Sequence, residues 1–159
     1  MNVITNYGMI NYQRGFRANA STISKVSKET IGKEKMALEQ QLTDLYEKLG
    51  TLYVNAKKYG KSVKDICDEK RYEFAISGIK SELAKKHGIV SKITLEKEKT
   101  MLEQELAFEN EKLRTVLEAE KKYGRTTLDI RDERRYEFAI SSIKNKIAKV
   151  EEQIAASSM

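Results

Sequence analysis

The chain has 159 residues, enough for one domain or for one domain with a tail, and it contains neither proline nor tryptophan. Charged residues make up 34% of it and apolar residues 40%, a balance typical of amphipathic helices rather than of sheets. The single Cys67 excludes an internal disulfide, and no apolar run approaches the ~18 residues that a membrane span needs. We therefore expect a cytoplasmic protein that makes no membrane contact, with export by a non-classical or type III-like route as the alternative.

Residues 1–26 differ in composition from the rest of the chain. The net charge is +6, and +4 of it lies in residues 1–28, which contain no acidic residue. The segment is rich in Asn, Tyr, Gly, Ser and Thr without helical or strand periodicity, so we predict an irregular basic arm. It is interpreted as a floppy leader, as a docking segment that orders on a partner, or as an export signal. Its candidate partner-binding residues are Tyr7, Tyr12, Arg14, Phe16 and Arg17.

A helical pattern begins near Thr30 and ends at a glycine. Gly60 is predicted to stand just after the helix, where a left-handed backbone conformation is needed. Ser62-x-x-Asp65 is the pattern of a capping box and predicts the start of a second helix. So short a turn makes the two helices antiparallel neighbours. The first helix carries an apolar heptad seam, interrupted only at Lys35, at Ile31, Leu38, Leu42, Leu45, Leu49, Leu52, Ala56 and Tyr59.

The same pattern returns 64 residues later. Residues 26–85 and 90–149 align without a gap, and 34 of the 60 paired positions are identical. Gly124, followed by Thr126-x-x-Asp129, repeats the stop and start signals. A repeat of this size is typical of a supersecondary unit that buries its apolar face by stacking on a copy of itself.

The apolar stripes of the two predicted helices in each repeat can be paired. In an antiparallel pair, facing residues have position numbers with a constant sum, and a sum of 121 aligns Leu49 with Tyr72 and Leu38 with Leu83. The second repeat then requires a sum of 249. Between the repeats, Gly88 is predicted to end one helix and Ser91 or Thr94 to begin the next.

The sequence therefore predicts an all-α fold. It is a tandem repeat of two antiparallel helical hairpins that form an up-down-up-down, coiled-coil-like four-helix bundle behind an irregular N-terminal arm. The predicted divisions are residues 1–26 for the arm, 27–88 for the first hairpin and 89–155 for the second. A competing architecture is an open pair of hairpins that completes its bundle by dimerising.

The hairpins need a second apolar face if they are to stack on each other. Phe74 and Phe138 lie off the seam at equivalent positions, beside small residues such as Gly78 and Ser142. Small residues let helix backbones approach while an aromatic ring supplies buried area. We predict that the hairpins pack through this face.

Charged clusters along the helices have structural explanations. Asp65 and Asp129 are assigned to caps, and the neighbouring carboxylates stand in first helical turns, where the helix dipole favours negative charge. No Glu-x-x-His motif is present, and His87 has no partner histidine or cysteine. Nucleophilic catalysis has no candidate constellation. We expect no enzyme, no metal and no cofactor.

The expected function is binding. We predict a non-enzymatic helical scaffold, adaptor or secretion-associated protein that acts on a protein partner or through self-association. Arg71 and Arg135 head the repeated Arg-Tyr-Glu-Phe motif and are candidate partner-binding residues, with Glu47 and Glu111 as candidate ion-pair partners across each hairpin. The alternative is a nucleic-acid-associated protein whose basic, aromatic arm neutralises phosphates and stacks bases.

Overall fold

Four α-helices make up the fold of the computed structural model, which describes residues 12–88 and 90–157, with side chains from residue 28 onwards in those ranges. Among these residues there is no strand. The helices are α1 (Tyr12–Tyr59), α2 (Val63–Lys86), α3 (Lys92–Tyr123) and α4 (Thr127–Ala156). The chain divides into two units, one ending at Ala37 and one beginning at Leu38. The second unit contains α1 from Leu38 onwards and all of α2, α3 and α4.

The start of α1 differs from the prediction. The helix begins at Tyr12, so residues 12–26 are helical and not irregular, whereas residues 1–11 lie outside the described residues. Once a helix has formed, each added residue gains one hydrogen bond, and no proline stops this growth towards the N-terminus. Composition alone hid this continuation, because Asn, Ser and Thr favour loops only weakly against an existing helix.

The turns are built as the sequence predicts. Gly60, Gly88 and Gly124 all have positive φ, between 72° and 85°, at which a side chain would be strained. Ser62 and Thr126 each accept a hydrogen bond from the backbone N–H three residues on, at 3.2 and 3.3 Å. The carboxylates at those third positions bond back to the backbone N–H of the cap residue, which completes both capping boxes. Ser91 is the N-cap of α3.

These caps also set the acidity of their carboxylates. Hydrogen bonds from the Ser62 hydroxyl and backbone lower the pKa of Asp65, and those from Thr126 lower the pKa of Asp129.

The helices of the second unit pack as a bundle around one apolar core. Most of the core comes from α1 and α3, which run parallel and touch. Glu47 pairs with Lys97 at 2.7 Å, and the Tyr53 and Phe108 ring centroids are 5.9 Å apart. The buried apolar residues of α1 and α3 are Leu42, Tyr46, Leu49, Leu52, Tyr53, Ala56, Leu95, Met101, Leu102 and Phe108.

The contacts between α3 and α4 define an antiparallel pair. Lys99 pairs with Glu151 at 2.7 Å, and Lys112 lies over the Tyr136 ring at 5.5 Å. The position numbers of these pairs add to 250 and 248, beside the 249 expected from the sequence. Between α1 and α2 the Tyr53 hydroxyl donates to Glu69, a pair whose numbers add to 122. In the parallel pair α1 and α3, by contrast, the position numbers of the contacting residues differ by 50 and 55. If equivalent residues of the two repeats were in contact, they would differ by 64. The second repeat is therefore shifted along the first by about ten residues, or roughly 15 Å.

The predicted second face is wrong. Phe74 is 83% exposed and Phe138 is 77% exposed, so neither ring packs between the repeats. The repeats meet instead through α1 and α3, where Gly50 lies against Gln104. Tyr46 and Tyr53 are buried there, in the role that was predicted for the phenylalanines. The seam itself is buried only in its middle, with Ile31 and Tyr59 exposed at its ends.

Candidate functional site

A cleft of about 680 Å³ opens beside the turn between α1 and α2. All four helices contribute to it, and its floor is the ring of Phe108, which is 4% exposed. Charged side chains stand around that ring. The main lining residues are Lys57, Lys61, Glu69, Lys70, Glu109, Lys112, Arg135 and Tyr136.

One wall of the cleft is an ion pair with an aromatic partner on each side. Lys61 Nζ donates to both carboxylate oxygens of Glu69 at 2.7 Å, and the two side chains are only 15% and 13% exposed. The Tyr53 hydroxyl donates to the same carboxylate at 2.9 Å. Lys61 Nζ also lies 4.7 Å from the centre of the Phe108 ring and 5.0 Å from that of Tyr53. The ring faces stabilise the ammonium group, which has given up most of its water.

A second ion pair lies beside the Phe108 ring. Lys112 Nζ lies 4.1 Å from the ring centre and donates to Glu109 Oε1 at 2.8 Å. Phe108 thus contacts two lysines, each paired with its own glutamate. The cations and carboxylates in this part of the cleft pair with each other, so their first role is to stabilise the folded structure.

The second repeat keeps the ion pair at its turn and changes the surroundings. Arg125 and Glu133 occupy the positions of Lys61 and Glu69 and pair with each other. Arg125 Nε lies 3.4 Å from Glu120 Oε1, and Glu120 stands where the first repeat has the buried Ala56. Since Arg125 is 54% exposed, this turn is wetter than the first.

Two tyrosine hydroxyls enter the core. Burial raises the pKa of Tyr46, and the nearby Glu98 raises it further. Burial also raises the pKa of Tyr53, with Glu105 and Glu69 adding to the effect. Both phenols therefore stay protonated at any physiological pH and cannot act as general bases, and the Tyr53 hydroxyl donates to Glu69.

Glu105 is a half-buried carboxylate that titrates abnormally. Desolvation raises its pKa, Lys146 partly offsets this, and Glu73, Glu109 and Glu69 add to the rise. A carboxyl with a raised pKa in the folded state binds its proton more readily there, so folding is favoured at low pH and this contribution is lost as the pH rises.

We predict that Glu105→Gln makes the protein more stable at neutral pH. The gain should appear as the pH rises from 4.5, the ordinary value for the group, through the raised folded-state pKa, and should vanish below that window. Urea unfolding at a series of pH values measures it. Glu96→Gln on the exposed side of α3 is the matched control, and a gain that is equal for both variants or independent of pH contradicts the prediction.

The predicted arginines lie on the outer surface. Arg71 is 79% exposed and stands 3.8 Å from Asp68, one turn away on its own helix. Arg135 is exposed at the rim of the cleft. Neither reaches across its hairpin as proposed from the sequence, because Glu47 pairs with Lys97 and Glu111 pairs with Arg114. Arg71 lies on the outer surface, whereas Arg135 borders the cleft together with Glu109 and Lys112 of α3.

The other predicted binding residues belong to the N-terminal segment. Tyr7 lies outside the described residues. Tyr12, Arg14, Phe16 and Arg17 fall within the backbone of α1, and their side chains are outside the described part of the chain. The structure therefore leaves their role as a prediction.

Sequence reasoning missed Phe108, Glu105 and Glu69 as members of one site. Phe108 has Asp44 as its counterpart in the first repeat, and Glu105 has Gln41, so comparing the repeats gave no signal. Glu69 was interpreted only as a first-turn carboxylate. Its position two residues before the exposed Arg71 gave no hint that it faces inwards.

No group of three or more His, Cys, Asp or Glu side chains within the described ranges is placed to hold a metal ion. None of the described helices combines the length and the apolar character that crossing a bilayer requires. The fold and the site thus define an all-helical bundle with a charged, aromatic-floored cleft and exposed phenylalanines. Neither a protein-family model, nor a curated protein, nor a solved structure matches this chain.

Proposed function

We propose that the protein is a non-enzymatic helical scaffold or adaptor, in the cytoplasm or associated with secretion, that binds another protein through the outer faces of α2 and α4. The proposal includes the arrangement of the second unit as two antiparallel hairpins in up-down-up-down order. Two observations support that order. Contacts between α3 and α4 show that these helices are antiparallel neighbours. The Tyr53–Glu69 hydrogen bond joins α1 to α2.

The observation that carries the proposal is the pattern of identity between the repeats. Phe74 and Phe138 are exposed, yet the seven residues 71–77 are identical to 135–141. The buried positions at which α1 meets α3 have instead diverged. Tyr46, Gly50, Tyr53 and Ala56 are replaced in the second repeat by Asn110, Arg114, Leu117 and Glu120.

Packing alone would produce the opposite pattern. Core positions tolerate change poorly, whereas exposed positions away from special features change at little cost. An exposed phenylalanine is also unfavourable in water, since its ring leaves a large apolar area unburied. Aromatic residues and arginine are enriched where proteins bind one another. Retention of an exposed Arg and Phe in both repeats is therefore best explained by binding.

The test is a double variant, Phe74→Ser with Phe138→Ser, compared with the wild-type chain by in-cell cross-linking and quantitative mass spectrometry. We expect a specific cross-linked protein to fall at least tenfold while the thermal midpoint stays unchanged, because both rings lie outside the core. Tyr59→Ser with Tyr123→Ser is the matched control, since these two rings are also exposed and repeated. Equal cross-linking by both double variants would contradict the proposal.

Nucleic-acid binding through the basic arm remains the alternative prediction. Over the described helices as a whole, acidic and basic residues are interspersed, and this distribution favours protein binding over binding along a phosphate backbone.

A further inference from the structure

We propose that the outer face of α4 docks an acidic amphipathic helix of a partner protein. This rests on the proposed function and adds the chemistry of the partner. The outer face of α4 is defined as Arg131, Arg134, Arg135, Phe138, Ser141, Ser142, Asn145 and Lys149. The outer face of α2 is its equivalent, Cys67, Lys70, Arg71, Phe74, Ser77, Gly78, Ser81 and Lys85.

Helical geometry makes each set a single face. Its members lie three, four, seven or eleven residues from the phenylalanine, spacings that return to the same side of an α-helix. On α4 the buried residues Ile140, Ile143 and Val150 occupy the opposite side. Phe138, Ser141 and Asn145 of this face are exposed, and Ser142 is half-buried at its edge nearest α3.

Charge complementarity specifies an acidic partner. The α4 face holds four cations and no carboxylate. Arg134 and Arg135 are exposed and make no hydrogen bond or ion pair with any residue of the described ranges. Guanidinium groups bind carboxylates through two parallel hydrogen bonds, which favours Asp and Glu side chains as their ligands.

Shape specifies a helix. Small residues lie next to each phenylalanine on the face. They are Ser77 and Gly78 on α2, and Ser141 and Ser142 on α4. A Cβ built on Gly78 would meet nothing within 4 Å, so the surface there is open. A partner helix seated over the small residues brings an aliphatic side chain onto the exposed ring, and its acidic flanks then meet the arginines.

The probe is a fluorescein-labelled synthetic peptide of about 20 residues, the length at which a helix becomes stable on docking. It carries a leucine stripe flanked by glutamates, and a matched peptide has lysine in place of every glutamate. Anisotropy titrations use the full-length protein at two salt concentrations. We expect the acidic peptide to bind at least tenfold more tightly than the basic one, and binding to weaken with salt.

Charge-reversal variants assign the binding to the face. Arg134→Glu with Arg135→Glu should weaken the acidic peptide at least tenfold, as should Phe138→Ser. Lys121→Glu with Lys122→Glu at the end of α3 makes the same change in net charge and should leave binding within about twofold. Circular dichroism shows whether each variant keeps its helices, and Phe138→Ser keeps the test valid if the arginine variant unfolds.

Four outcomes would overturn the inference. The first is equal binding of both peptides, and the second is equal loss in the two charge-reversal variants. The third is a dimer, seen by light scattering, that dissociates in Arg134→Glu with Arg135→Glu, because a second copy would then be the occupant. A single-stranded oligonucleotide of about 20 nucleotides that outcompetes the acidic peptide at the same face likewise assigns the surface to nucleic acid.

A photo-cross-linker at Ser142 in the full-length chain separates this inference from the proposed function. A partner cross-linked there and lost in Phe74→Ser with Phe138→Ser, without binding of the acidic peptide, refutes the acidic chemistry and leaves the proposed function standing. Absence of any such cross-link refutes both.

Discussion

Phe108→Ala is expected to lower the free energy of unfolding by about 3–5 kcal/mol, the largest effect of any single substitution that we predict here. The ring is 4% exposed, its centre lies 5.9 Å from that of Tyr53, and the ammonium groups of Lys61 and Lys112 lie within 4.7 Å of it. Its loss creates a cavity and also removes the aromatic surface that compensates Lys61 for lost hydration. Urea unfolding followed by circular dichroism measures the change.

Phe138→Ala is the matched control for that substitution. It removes the same atoms from a neighbouring helix of the same bundle, yet from a ring that is 77% exposed. A change within about 0.5 kcal/mol is expected, as for surface substitutions in general. If the two variants lost similar stability, Phe138 would have to be packed in the folded protein, and the proposed docking surface would be wrong.

The sequence predicted the turns between the helices better than it predicted the start of α1. Local signals predicted the turns, because glycine at a left-handed position and a Ser/Thr-x-x-Asp cap leave few alternatives at Gly60 and Gly124. The start of α1 was missed, because helix growth from Thr30 back to Tyr12 depends on the absence of a stop and not on a positive signal.

Which faces meet was harder to predict than where helices begin and end. Hydrophobicity marks Phe74, Phe108 and Phe138 alike, and only the relative shift of α1 and α3 decides which ring is buried. That shift depends on the fit of Gly50 against Gln104 and of Tyr53 against Phe108, and these contacts join residues that are not equivalent in the repeats. The prediction of the stacking face was wrong because it took equivalent residues of the two repeats to pack on each other.

The candidate site follows the same logic. Arg71 and Arg135 were identified from the sequence, because a repeated motif is visible without any fold. The Glu105 carboxylate and the two lysines beside Phe108 were not identified, since their roles depend on which neighbours exclude water from them. Phe108 and Glu105 differ from their counterparts Asp44 and Gln41, so the repeat gave no signal for them.

Glu69→Ala is the second substitution with a large expected effect, a loss of about 2–3 kcal/mol. Glu69 neutralises Lys61 and accepts the hydrogen bond of the Tyr53 hydroxyl. Removing it leaves an ammonium group and a phenol facing the protein interior with no acceptor, and the cost of desolvating them is then uncompensated. Replacing both members of the ion pair, by Lys61→Met with Glu69→Ala, should restore most of that stability, because no unpaired charge remains.

The second repeat supplies the control for this substitution. Glu133→Ala removes the equivalent carboxylate, but Arg125 is 54% exposed and retains Glu120 nearby, so a loss of at most about 1 kcal/mol is expected. Urea unfolding of Glu69→Ala, of Lys61→Met with Glu69→Ala, and of Glu133→Ala measures these differences. Equal losses at Glu69 and Glu133 would show that the burial of Lys61 against Phe108 contributes nothing, and would contradict the assignment of this ring as the centre of the cleft.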